Sequence, residues 1–87
     1  MYIISDEVVL HEEEGKKYLV NTVSGKVFAL NDVASRIVEG LNENKSVDEI
    51  KHMLSLLFSD VTFEQISKDV DSYITMLVDS QSIVAKQ

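Results

Sequence analysis

The sequence predicts an α+β domain in which a three-stranded antiparallel sheet is followed by three helices. Three observations predict it. Three short apolar runs separated by glycine-bearing turns fill the first thirty residues, the apolar period changes from two to helical after Leu30, and helix-capping signals then recur. The 87 residues carry no proline and three isolated glycines, so nothing resembles a linker and a single domain spanning 1–87 is expected.

The first run is Glu7-Val8-Val9-Leu10, closed by the polar turn His11-Glu12-Glu13-Glu14-Gly15-Lys16. Lys17-Tyr18-Leu19-Val20-Asn21 follows, then the turn Thr22-Val23-Ser24-Gly25, then Lys26-Val27-Phe28-Ala29-Leu30. Period-2 alternation in this third run puts Phe28 and Leu30 on one face, expected to be the core face, with Val27 and Ala29 on the other.

Asn31 or Asp32 can N-cap a first helix whose apolar stripe is Val33, Ala34, Ile37, Val38 and Leu41; it should stop near Asn42–Asn44. Ser46-Val47-Asp48-Glu49 is a capping box that starts a second helix with Val47, Ile50, Met53, Leu54, Leu57 and Phe58 on its apolar face. Thr62-Phe63-Glu64-Gln65 repeats the box logic, with Val61 and Ile66 in hydrophobic-staple positions. The third helix, roughly 63–79, carries Ile66, Val70, Tyr73, Ile74, Leu77 and Val78, and Ile83-Val84 is either a short terminal strand or a cap on the core.

Composition narrows the function. Eight basic against fifteen acidic residues give a net charge of −7, which repels a polyanion on average. The absence of cysteine excludes disulfides, thiolate metal sites and thiol nucleophiles, and fits a reducing compartment, so a cytoplasmic location is expected. The N-terminal MYIISDEVVL lacks a basic n-region and a long apolar segment, and no apolar run approaches the ~20 residues of a membrane span.

No catalytic constellation emerges. His11 and His52 stand in different elements without a second ligand at metal-binding spacing, the serines lack a nucleophile elbow, and Gly15, Gly25 and Gly40 form no phosphate-binding loop. The carboxylates of Asp48, Glu49, Glu64, Asp69 and Asp71 suit helix capping and solvated faces. No enzyme activity, metal or cofactor is expected. A winged helix-turn-helix-like arrangement raises DNA binding as an alternative, but the third helix offers Lys68 against Glu64, Asp69, Asp71 and Asp79.

A binding module remains. The third strand is short and free of proline, so its open edge could accept an extended peptide, its own loop, or the edge of a symmetry mate in a homodimer.

Gly25-Lys26-Val27-Phe28-Ala29-Leu30-Asn31, followed by Ala34, Ile37 and Val38, resembles the G-x-x-x-x-L-N-x-x-A-x-x-I stretch of PqqD-like proteins. Ser46-Val47-Asp48-Glu49-Ile50 is similar to that family's T/S-V-x-E-I, and Ile66-x-x-Asp69-Val70-x-x-Tyr73-Ile74-x-x-Leu77 with Ile83-Val84 to its ending; the resemblance covers residues 5–85. The family usually has glycine where Asn44 stands before the second helix, and often where Ser82 stands before the terminal apolar pair.

PqqD-like domains recognise peptides in the biosynthesis of ribosomally made, post-translationally modified peptides. The resemblance implies that a precursor's leader segment adds to the third strand, against Lys26, Val27, Phe28, Ala29 and Leu30. The facing helical wall would come from Ile66, Asp69, Val70 and Tyr73, with Met76. The stand-alone size and acidic balance look most like lasso-peptide pathway proteins, whose partners are a leader peptidase and a cyclase. A radical SAM enzyme partner, as in quinone cofactor biosynthesis, is the sibling expectation. Neither nucleic acid nor membrane is an expected partner.

Overall fold

Strand gives way to helix at Asn31, whose side chain accepts the Ala34 N–H at 2.8 Å and so caps the first helix. The computed structural model describes residues 2–85. In chain order it contains β1 (Tyr2–Ile4), β2 (Val8–Glu13), β3 (Lys16–Asn21), β4 (Val27–Leu30), α1 (Asp32–Asn42), α2 (Val47–Leu57), α3 (Phe63–Asp79) and β5 (Ile83–Ala85). The architecture is α+β: β2, β3 and β4 form an antiparallel sheet in that order, and the three helices follow it.

Two strand expectations need correction. Tyr2–Ile4, unassigned in the sequence, is a strand that pairs antiparallel with β5 through Tyr2↔Ala85, Ile3↔Val84 and Ile4↔Ile83. The strand expected third is therefore β4. The first hairpin turn is also tighter than expected. His11, Glu12, Glu13 and Lys16 belong to the strands, and Glu14 (φ 52°) and Gly15 (φ 78°) alone make the turn. Two consecutive left-handed residues match the twist of the flanking strands.

The helix termini follow local chemistry. Ser46 and Glu49 complete the reciprocal capping box. Thr62 accepts the Gln65 N–H, but the Gln65 side chain donates to Asp69 Oδ1 instead of reaching back, so only half of the second box forms. Both α1 and α3 end in the same way. Asn44 (φ 63°) and Gln81 (φ 61°) turn left-handed. The following amides, Lys45 and Ser82, donate to Gly40 O and Leu77 O, which satisfies carbonyls the helices leave open. The left-handed residue after α3 is thus Gln81, while Ser82 is buried and exchanges a hydroxyl hydrogen bond with Ser80 at 2.8 Å.

The core joins Leu19 and Leu30 from the sheet to Ile37, Val38 and Leu41 of α1, Ile50 and Leu54 of α2, Ile66, Val70, Ile74 and Leu77 of α3, and Ile83. Leu57 and Val78, expected on apolar faces, are 49% and 41% exposed. Leu57 is the last residue of α2, and Val78 lines an open cleft with Tyr2, Ile83 and Val84. Lys51 of α2 reaches Asp71 of α3 at 2.8 Å, holding the two helices side by side. No helix is long and apolar enough to cross a membrane among the described residues.

Candidate functional site

The hydrogen-bond parity of β4 decides what its outer side offers. Asn21 N–H donates to Lys26 O at 2.9 Å, so Asn21 and Lys26 form a bonded pair. In an antiparallel ladder such pairs alternate with unbonded ones. With the register Val20↔Val27, Leu19↔Phe28, Tyr18↔Ala29 and Lys17↔Leu30, the backbone groups of Phe28 and Leu30 face β3. Those of Val27 and Ala29 point away from the sheet. The Thr22 N–H bond to Glu7 O, at 2.7 Å, fits the same alternation on the other side of β3. Among the described residues no strand pairs with the outer side of β4, because the terminal strand pairs with β1.

Beyond the C-terminal end of β4, three segments converge on a small cavity of about 70 Å³. Val33 comes from the first turn of α1, Leu54 and Phe58 from the end of α2 and its exit, and Val61, Ile66 and Asp69 from the start of α3. Asp69 supplies the one ionisable group in this lining, and its Oδ1 accepts from Gln65 Nε2 at 2.8 Å.

The helical wheel shows which side of α3 is free. Ile66, Val70 and Leu77 form the buried stripe; Asp71 and Val78 lie on one flank, Asp69, Tyr73 and Met76 on the other. The first flank is occupied, by the Lys51 ion pair and by the β1–β5 cleft. The second carries no such partner among the described residues.

The sequence-derived residues therefore separate into groups. Val27 and Ala29 present backbone to the free edge, and Lys26 is exposed with its carbonyl committed to Asn21. Phe28 is half-buried against the core. Ile66 and Asp69 line the cavity. Tyr73 is half-buried, which pushes its phenol pKa up, and Met76 is exposed about two turns beyond Asp69. Leu30 and Val70 are 8% and 0% exposed, so their side chains belong to the core.

Val33, Leu54, Phe58 and Val61 complete the cavity and were not singled out as site residues from sequence. In sequence three of them read as core stripe and Val61 as a staple; the signal available was two apolar residues, Phe58 and Val61, in a short interhelical connection. Chemically, the edge can bond an extended backbone, the cavity can bury one apolar side chain, and Asp69 can meet a cation. No group of three or more His, Asp or Glu converges on a metal-sized site among the described residues.

The sequence profile described as coenzyme PQQ synthesis protein D (PqqD) matches residues 7–83. No curated protein matches. Among solved structures, TbiB1 in complex with the TbiA(beta) leader peptide superposes with a TM-score of 0.87 at 26% identity, covering 98% of each chain. A lasso peptide synthetase B1 complexed with the leader peptide has the same fold, with a TM-score of 0.84 at 21% identity, covering 97% of this chain and 98% of that one.

Proposed function

The chain belongs to the PqqD family, and on that premise we propose that it binds the leader segment of a ribosomally synthesised precursor peptide and delivers it to modifying enzymes. The leader adds as a strand to β4 and lays an apolar side chain into the cavity between α1, α2 and α3. The observation that carries this reading is the unpaired outer side of β4, left open because β5 pairs with β1.

Val27 and Ala29 each offer one donor and one acceptor. Four hydrogen bonds at about 0.5–1.5 kcal/mol and one or two anchors at about 1.5–3 kcal/mol reach the ~8 kcal/mol of a micromolar complex only in the upper part of their range. Both walls are therefore needed. The protein itself performs no chemistry in this reading; its partners are a leader peptidase and a cyclase, as in lasso-peptide pathways. The likeness to two leader-bound structures supports that pathway over a radical SAM partner. The single Lys68 amid Glu64, Asp69, Asp71 and Asp79 disfavours DNA binding by α3.

The test is binding of a fluorescently labelled leader encoded by the neighbouring precursor gene. Micromolar or tighter affinity is expected. No binding at ~100 µM would remove the proposal.

A further inference from the structure

The outer face of the sheet is apolar where a one-sided antiparallel sheet usually turns polar residues to water. Leu19 and Leu30 are buried towards the helices, and Lys17 on the same face pairs with Glu39 of α1. Alternation therefore turns Val9, Val20 and Val27 outward as one cross-strand row, and His11, Tyr18 and Ala29 as the next. Val9 is 50% and Val27 58% exposed, and the helical layer is on the opposite side.

Val27 and Ala29 belong to both this face and the free edge. A strand added at β4 becomes the fourth in the sheet, and its alternate side chains continue the two rows. We infer that the outer face is the docking surface of the enzyme that acts on the bound peptide, and that this enzyme reads peptide and valine row as one surface. This inference rests on the peptide-binding reading.

Size favours that occupant over a second copy of the chain. Three strands spaced ~4.8 Å apart, over four residues of ~3.4 Å each, present roughly 200 Å². A stable interface buries about 800 Å² per partner. The face alone is too small to hold a lasting dimer. It suits a transient partner that also grips the peptide, so docking depends on loading and the unloaded protein is released.

The test uses Val9→Lys and His11→Ser in the full chain, both on β2 and separated from β4 by β3, with the labelled leader and the leader peptidase encoded beside it. Leader affinity is expected to stay within about twofold of native, while peptidase affinity for the loaded protein falls about tenfold or more. Equal docking of native and variant loaded proteins overturns the inference and leaves peptide binding standing. Equally tight docking without the leader overturns the shared surface. If the native protein fails to bind the leader, the functional reading falls and this inference with it. Concentration-dependent sedimentation of the free protein, abolished by Val9→Lys, would assign the face to a second copy instead.

Discussion

The Asn21 amide donates to the Lys26 carbonyl at 2.9 Å, and that bond sets which residues of β4 face inward. Ala29 is outward and Phe28 inward by the same alternation. Ala29→Pro removes an outward donor without touching the β3 ladder, so leader affinity is expected to fall about three- to tenfold with the circular dichroism spectrum unchanged. Phe28→Pro removes a ladder donor and is expected to destabilise the fold. Full leader affinity in the Ala29 variant would show that the peptide does not add as a strand.

Asp69 borders the cavity with its carboxylate exposed. Pairing with a leader Lys or Arg at such a site is worth about 0.2–1 kcal/mol. Asp69→Asn is expected to weaken leader binding by no more than about fivefold and to flatten its salt dependence. Fluorescence anisotropy at two salt concentrations checks both; tighter binding would mean that an acidic leader residue sits there.

Gly40 is the close-approach point between α1 and α2. A Cβ there would stand 2.8 Å from Ile50 Cγ1, and Ile50 is fully buried. Helix propensity favours alanine by up to ~1 kcal/mol, whereas overpacking a core costs about 1–3 kcal/mol. Gly40→Ala is expected to lower unfolding stability by about 1 kcal/mol in urea titration.

Gln81 holds a left-handed conformation that glycine adopts without strain. Gln81→Gly is expected to raise stability by up to about 1 kcal/mol, read as a higher urea midpoint with the same slope.

The capping box gives a pH-dependent contribution. Hydrogen bonds from the backbone and side chain of Ser46 hold the Glu49 carboxyl below the usual carboxylate range. Because the folded value is depressed, the stabilisation is full above the unfolded value and fades as pH falls through the folded one. The stability gap between native protein and Glu49→Gln is expected to narrow from pH 7 to pH 3. A gap independent of pH would show that ionisation contributes nothing.

What was legible in the sequence was what neighbours in the chain decide. The caps at Asn31, Ser46 and Thr62 each depend on a residue three positions on, and all three are in place. The inward pair Phe28 and Leu30 follows from alternation within one strand. Tyr2–Ile4 was illegible because the strand it pairs with lies at the opposite end of the sequence. The cavity was illegible for a related reason: Val33 of α1, Leu54 of α2 and Ile66 of α3 belong to separate helices, and only packing brings them together. The Glu14-Gly15 turn lacks the Asn-Gly or Asp-Gly signature, so the long charged run around it concealed strand ends.

The β1–β5 pairing also bears on the order in which the protein assembles. It closes the longest loop in the described chain, and loop closure slows contacts between distant segments. The hairpins that build β4 are local, so they are expected to form before the ends zip together. Amide exchange should then be faster at Ile3 and Val84 than at Leu19 and Phe28.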